Sequence, residues 1–137
     1  MNEIKTRILE SIVNYSLNTA IISPKIALTY SEINNYIKLY TNKINEICHT
    51  SIKNKYVLIY MRSPLEEIIA QMTVLINGGI CVPLDKNTPL GYYSLERIEN
   101  IVCMITDDYE FNEQINFPII YLLIKISRST LFVLFNI

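Results

Sequence analysis

Two pairs of adjacent residues have side chains that could do nucleophilic or acid–base chemistry. Cys48 precedes His49, the only histidine of the chain, and the pair could supply a nucleophile and a base. Adjacent residues at a helix end point apart and no third group orients the imidazole, so we expect a surface or capping histidine instead. Glu66 and Glu67 are paired carboxylates in the first turn of a predicted helix, where acidic residues complement the helix dipole. Neither pair is predicted to be catalytic.

A third candidate, the acidic group formed by Asp107, Asp108 and Glu110, could bind a cation. A hard cation needs about six or more oxygen ligands and a loop that wraps it, which three neighbouring carboxylates do not supply. An exposed turn is therefore predicted here. The sequence predicts no catalytic, cofactor-binding or metal-binding residue.

Composition excludes several classes of function. The 137 residues suit one domain with one core, and 12 basic against 13 acidic side chains leave a net charge of -1. This balance offers no charged surface for nucleic acid or anionic lipid. The cysteines form no Cys-x-x-Cys pair, so neither a disulfide framework nor a zinc site is predicted for Cys48, Cys81 and Cys103. The cytoplasm is the predicted compartment, because Met1–Glu10 has no apolar signal-peptide core.

The stretch Pro118–Ile137 is strongly apolar. Lys125 and Arg128 lie near its middle, and each basic side chain costs about 2.5–3.5 kcal/mol at the centre of a spanning helix. A membrane span is therefore not predicted. We expect one domain over residues 1–122 and an apolar tail over residues 123–137.

Hydrophobic periodicity predicts two helices in the first half of the chain. The first ends near Tyr15, and its apolar residues recur at three- and four-residue spacing: Ile4, Ile8, Leu9, Ile12 and Val13. A β-prone run, Lys25–Tyr30, follows, and Ser31 is the predicted N-cap of the second helix. The apolar face of that helix carries Ile33, Tyr36, Ile37, Tyr40, Ile44 and Ile47.

A strand–helix–strand unit is predicted next. Tyr56–Met61 is a continuous apolar run, typical of a strand that is covered on both faces. Ser63–Glu66 forms a capping box, and Asn77–Gly79 ends the helix that it begins. The predicted buried face of this helix consists of Leu65, Ile68, Ile69, Met72, Leu75 and Ile76. Strand Ile80–Leu84 follows at once, so the unit is a βαβ crossover with parallel strands and the fold class is α/β.

The rest of the chain is predicted to add short elements. These are a helix over Ser94–Ile101 and strands near Val102–Thr106 and Pro118–Leu122. The predicted architecture is therefore a partial sheet built around the βαβ crossover.

Three stretches resemble motifs of AMP-forming adenylation domains, and they follow one another in the same order as in that family. Leu28–Ile33 (LTYSEI) resembles the first core motif, L-T/S-Y-x-E-L, and Leu75–Asp85 (LINGGICVPLD) resembles the second, L-K-A-G-x-A-Y-V-P-L-D. Arg62–Pro64 (RSP) lies between them and matches the usual R-S of the family. The sequences Tyr-Ser-Glu and Val-Pro-Leu-Asp within these motifs resemble the nonribosomal peptide synthetase type. The second motif departs from the pattern at four positions, Ile76, Asn77, Ile80 and Cys81.

This resemblance implies the first subdomain of the adenylate-forming enzyme fold, whose intact members use ATP and Mg²⁺. Such chemistry needs a phosphate-binding loop, which the family writes T-S-G-T-T-G-x-P-K-G, and a catalytic lysine. No equivalent loop is present, and the only glycines are Gly78, Gly79 and Gly91. We therefore expect no bound cofactor and no adenylation activity from this chain alone.

Three hypotheses follow from the sequence. The first is a truncated adenylation domain without activity of its own, whose last residues, 123–137, match nothing in the family. The second is one half of a split synthetase, in which a downstream chain completes the sheet by adding a strand to an exposed apolar edge at Ile119–Ile126. The third, a membrane-tethered protein, rests only on the apolar tail. The substrate of the parent enzyme is not specified, since its pocket would be built from residues beyond this chain.

Overall fold

The computed structural model describes residues 2–24, 26–88, 95, 98–108 and 117–121. They form three helices and six strands: α1 (Asn2–Asn14), β1 (Thr19–Ile22), β2 (Ala27–Thr29), α2 (Tyr30–Cys48), β3 (Tyr56–Tyr60), α3 (Pro64–Ile76), β4 (Ile80–Pro83), β5 (Ile101–Thr106) and β6 (Ile119–Tyr121). The predicted α/β class is confirmed.

The strands form two sheets. β1 and β2 make an antiparallel hairpin, and the other four form a parallel sheet in the order β4-β3-β5-β6. Strand β3 pairs with β4 through the α3 crossover, which confirms the predicted βαβ unit, and it pairs with β5 on its other side. After β3 the chain forms β4 on one side of that strand, and it then crosses to the other side to form β5 and β6.

Side chains on both faces of the parallel sheet are buried, as the continuous apolar run of β3 predicts. Val57 and Ile59 belong to a core cluster shared with all three helices, whereas Leu58 and Tyr60 belong to a second cluster on the opposite face. Strand β5 alternates in the same way, with Cys103 and Ile105 in the first cluster and Met104 in the second.

The predicted apolar face of helix α2 is confirmed, but its predicted first residue is wrong. Five of the six predicted apolar residues are buried, and Ile47 is partly buried. Ser31 is not the N-cap. The helix begins two residues earlier than predicted, at Tyr30, and Thr29 caps it, because a threonine hydroxyl followed three residues later by a glutamate completes a capping box at that position.

Helix α3 confirms its predicted buried face only in part, because Ile69 is the one predicted residue that is fully buried. Its buried residues are Glu66, Ile69, Ala70, Thr73 and Val74, while Ile68 is 43% exposed and Leu65, Met72 and Ile76 lie at the border of the core. The helix contacts α1 and α2 as well as β3 and β4, so close packing favours small side chains at its centre. Because most positions of α3 are apolar and two of its four polar residues, Glu66 and Thr73, are buried, its sequence does not mark the inner face.

Several other predictions differ from the structure or fall outside the residues that it describes. The apolar stripe of α1 is only partly covered, since Ile12 is buried but Val13 is 75% exposed. Strand β1 was not predicted. The predicted helix Ser94–Ile101 is wrong over its second half, because Glu99 and Asn100 form a turn and Ile101 begins β5; residues 94, 96 and 97 lie outside the described residues. Residues 123–137 also lie outside them, and none of the described helices is both long and apolar enough to cross a bilayer.

Candidate functional site

The first motif stretch builds the junction between the hairpin and α2. The Thr29 hydroxyl accepts a hydrogen bond from the Glu32 amide at 3.1 Å, and Glu32 Oε1 accepts one from the Thr29 amide at 3.5 Å. Leu28, just before this capping box, is fully buried. The threonine and glutamate of the motif therefore start a helix.

The second motif stretch ends α3 and starts β4. The Gly79 amide donates to the Val74 carbonyl at 2.9 Å and the Gly78 amide to the Leu75 carbonyl at 3.1 Å, which is the Schellman pattern. Gly78 has a φ of 80°, a left-handed conformation that suits glycine. At one of the positions where the sequence departs from the motif, the Asn77 amide group donates to Thr41 Oγ1 at 3.0 Å, which ties this turn to α2.

The same stretch closes with a turn after β4. Asp85 Oδ1 accepts from the Asn87 amide at 3.0 Å, and Asp85 Oδ2 accepts from the Thr88 hydroxyl at 3.2 Å. A carboxylate that bonds the backbone two residues ahead stabilises a tight turn. The aspartate of the Val-Pro-Leu-Asp motif is thus a turn former in this chain.

Charged residues converge at the carboxyl edge of the parallel sheet. In open α/β sheets this edge takes ligands where neighbouring connections run in opposite directions, as they do between β3 and β5. Five residues follow the ends of β3, β4 and β5 there, and we name them the strand-end cluster: Arg62, Ser63, Lys86, Asp107 and Asp108.

Asp107 is the centre of this cluster. Its Oδ1 accepts a hydrogen bond from the Arg62 amide at 2.8 Å and its Oδ2 accepts one from the Ser63 amide at 3.0 Å. Ser63 is the N-cap of α3, so the carboxylate lies at the positive end of that helix. The Arg62 guanidinium reaches Asp108 Oδ2 at 3.3 Å. The carboxylates after β5 therefore hold the loop that follows β3.

Lys86 brings the loop after β4 into the same cluster. Its side chain is only 15% exposed, and its Nζ lies 3.9 Å from Asp107 Oδ1 and 5.1 Å from the centre of the Tyr60 ring. The Tyr60 hydroxyl donates to the backbone carbonyls of Lys86 and Thr88, both at 3.3 Å. Burial lowers the pKa of Lys86, an effect that Asp107 and Asp108 partly oppose and Arg62 adds to.

Charge balance limits the chemistry of the strand-end cluster. Its two cations face two carboxylates, and Asp107 already occupies the two backbone donors at the start of α3. The cluster contains no nucleophile paired with a base. Its geometry suits a structural tie between three loops.

The acidic residues Asp107 and Asp108 were predicted to lie in an exposed turn, and this prediction is wrong. The Asp107 side chain is 10% exposed and that of Asp108 is 19% exposed, because both carboxylates turn toward neighbouring loops. Glu110 lies outside the described residues. Among the residues that the structure describes, no group of three or more histidine, cysteine or acidic side chains could hold a metal ion.

The other residues considered as catalytic candidates, His49, Glu66 and Glu67, lie at the ends of helices. His49 is the exposed C-cap of α2, with a left-handed φ of 54°, which confirms the capping interpretation. Glu67 accepts a hydrogen bond from Gln71 at 3.4 Å. Glu66 and Glu67 lie in the first turn of α3, as predicted, and Glu66 is buried there with 7% exposure. Sequence reasoning also missed Lys86, although its position just after β4 was the available signal.

An apolar groove lies between the hairpin and the start of α3. We name it the hairpin groove; it has a volume of about 490 Å³, and its lining includes Ile22, Pro24, Leu65 and Ile68. Ile22 is 79% exposed and Ile68 is 43% exposed at its rim.

These elements and their order define the fold of the N-terminal part of adenylate-forming enzymes. The chain superposes on the N-terminal subdomain of NpsA from Klebsiella oxytoca, in complex with 3-hydroxybenzoyl-AMSN, with a TM-score of 0.73 and 18% identity, over 93% of this chain and 31% of that one. It superposes equally on NpsA-ThdA, an artificially fused adenylation–PCP di-domain nonribosomal peptide synthetase from the same organism, with a TM-score of 0.74, 18% identity, and coverage of 93% and 23%.

A second kind of enzyme has the same fold in this region. The O-succinylbenzoate coenzyme A synthetase MenE from Bacillus subtilis, in complex with AMP, matches with a TM-score of 0.66 and 17% identity, over 77% of this chain and 27% of that one. The chain thus spans between 23% and 31% of the length of these three proteins. No protein-family model and no curated protein sequence matches it.

Proposed function

We propose that this chain is the first part of an adenylate-forming domain of the nonribosomal peptide synthetase type. The observation that carries the proposal is the coincidence of fold and motif. The motif residues Thr29, Glu32, Gly78 and Asp85 each make a cap or turn that joins two elements of the shared fold. A chance match in sequence would not place motif residues at the structural junctions.

We further propose that the chain does not adenylate a carboxylate by itself. ATP activation needs a row of main-chain donors for the triphosphate and a cation to neutralise it. The sequence has only 3 glycines and no phosphate-loop motif. At the sheet edge, the donors of Arg62 and Ser63 are already bonded to Asp107. We therefore expect neither ATP nor Mg²⁺ to be a cofactor of this chain.

ATP–pyrophosphate exchange tests this proposal. The purified chain is assayed with each proteinogenic amino acid and with 3-hydroxybenzoate, beside an intact adenylation domain as the positive control. The expected exchange equals that of a heat-denatured sample. Exchange above that background with any acid contradicts the proposed inactivity.

The hairpin groove favours a second candidate function, that of an interaction module. In this reading the chain is one half of a split synthetase and binds a second chain that carries the phosphate loop. Exposed apolar side chains on a groove are typical of a surface that a partner covers. Ile22 and Ile68 are such side chains.

Co-expression with an adjacently encoded chain that begins at a phosphate loop tests this second candidate. Ile22→Lys should abolish co-purification if the groove binds the partner. Val13→Lys is the matched control, because Val13 is 75% exposed on α1 and does not line the groove. Failure of the unaltered chains to bind each other removes the candidate. The cytoplasm remains the predicted compartment of either form.

A further inference from the structure

The hairpin groove is an apolar surface that stays open among the residues that the structure describes. Seven of the nine residues that line it are apolar, and only Ser23 and Ser63 are polar. At its rim, Ile22 keeps 79% of its surface exposed and Ile68 keeps 43%. Contact between apolar side chains and water is unfavourable, so a segment that brings further apolar side chains to this groove would bind there.

One side of the groove lies at the carboxyl edge of the parallel sheet, because Ser63, Pro64 and Leu65 follow the end of β3. Strand β6 is parallel to β5, and β5 is parallel to β3, so Tyr121 at the end of β6 lies at the same edge. Ile120 of β6 belongs to the core cluster that includes α3, which places both on one face of the sheet. Strand β6 is the second strand from β3, a separation of about 10 Å. The chain therefore continues from β6 close to the groove.

The segment that follows β6 has the composition and the length to fill this groove. Of its 16 residues, 122–137, ten are apolar, and five of these are consecutive, over Leu131–Phe135. An extended chain covers about 3.3 Å per residue, so ten residues beyond Tyr121 reach up to about 33 Å. That reach exceeds the separation of β6 from β3 about threefold. The apolar run Leu131–Phe135 can therefore arrive at Ile22 and Ile68 without any change in the described elements.

We propose that residues 122–137 bind the hairpin groove of their own chain, with the apolar run Leu131–Phe135 against Ile22 and Ile68. The inference does not depend on the proposed lack of adenylation activity. It gives the groove to this chain's own segment, whereas the second candidate function gives the same groove to a partner chain.

Covalent connection favours the chain's own segment over a separate partner. A binding segment on a short tether is present at an effective concentration on the order of millimolar, whatever the concentration of the protein. A partner chain at micromolar concentration must therefore bind on the order of a thousandfold more tightly to occupy the groove equally. The segment thus acts as a competitor that any partner of the groove has to displace.

Photo-crosslinking of the full chain tests the proposal. Ile22 is replaced by benzoylphenylalanine, a change that its exposure allows without disturbing the core, and the irradiated protein is digested with trypsin. We expect a monomeric product in which position 22 is linked to the peptide Ser129–Ile137, which follows the cleavage site at Arg128. Val13→benzoylphenylalanine is the matched control, because Val13 is also exposed but does not line the groove, and it should give no such link.

A second pair of variants separates apolar binding from mere proximity. In the chain that carries the photo-crosslinker at position 22, Phe132→Glu should remove most of the link to this peptide. Asn136→Glu adds the same charge to a polar position of the same peptide and should leave the link in place.

Three results would overturn the proposal. They are the absence of any link between position 22 and residues 122–137, an equal link from position 13, and a link that joins two copies of the chain in a dimeric product. The assay contains neither ATP nor a partner chain, so its outcome is separate from that of the proposed function.

Discussion

Removing the Asp107 carboxylate should destabilise the fold more than any other single charge change at the sheet edge. Asp107 accepts two short hydrogen bonds from backbone amides, at 2.8 and 3.0 Å, and its side chain is only 10% exposed. Hydrogen bonds to a charged acceptor contribute about 1.5–3 kcal/mol each, but part is regained when water reaches the freed amides. We therefore expect Asp107→Ala to lower the free energy of unfolding by about 3 kcal/mol.

Asp108→Ala is the matched control, since it removes the same charge from the neighbouring residue. Its ion pair is with Arg62, whose side chain is 67% exposed, and such pairs contribute below about 1 kcal/mol. Asp107→Asn separates charge from geometry. It keeps one acceptor but places an amide NH₂ against a backbone donor, so we expect a loss of about 2 kcal/mol.

Urea unfolding followed by circular dichroism measures these differences. The urea midpoint should fall least for Asp108→Ala, more for Asp107→Asn and most for Asp107→Ala. The dependence of the unfolding free energy on urea concentration should stay constant. The reasoning is refuted if Asp107→Ala costs no more than Asp108→Ala. That result would mean that the loops after β3 and β5 are held by packing and not by the carboxylate.

Three further predictions concern caps, turns and the buried lysine. In urea unfolding, Thr29→Ala should cost about 1 kcal/mol and Ser31→Ala much less, because Thr29 is the cap of α2; equal losses would contradict this assignment. Gly78→Ala should cost about 1 kcal/mol through its positive φ, and Gly79→Ala about 1–3 kcal/mol, because an added Cβ would lie 2.8 Å from a buried valine methyl; an unchanged midpoint for either would count against the turn geometry. Burial lowers the pKa of Lys86, so the unfolded state binds more protons than the folded state at pH values below 10.5. The stability of the chain relative to Lys86→Met should therefore rise with pH across this alkaline range, and a flat or falling difference would contradict the burial of the charge.

The sequence predicted the elements whose signals are local. The run Tyr56–Met61 identified β3, and the periodic apolar face of α2 was located almost residue by residue. Gly78 identified the end of α3, because a left-handed residue is needed there. These features depend on a single segment, so they are visible without knowledge of the rest of the fold.

Features that depend on distant contacts were not predicted. A local feature was missed as well: the N-cap of α2 was placed at Ser31 because a serine before an apolar periodic run is a strong signal, although Thr29 and Glu32, three residues apart, make the reciprocal bonds. The strand-end cluster joins residues on three separate loops, and only the pairing of β3 with β4 and β5 brings Lys86 to Asp107.

Isothermal titration of ATP into the purified chain, in buffer with magnesium, tests the central claim most directly. The account predicts no saturable heat, because the sequence has no phosphate-loop motif and the Arg62 and Ser63 amides at the sheet edge are bonded to Asp107. An intact adenylation domain under the same conditions should give a binding isotherm. Saturable uptake of ATP by this chain at an affinity close to that of the intact domain would contradict the account.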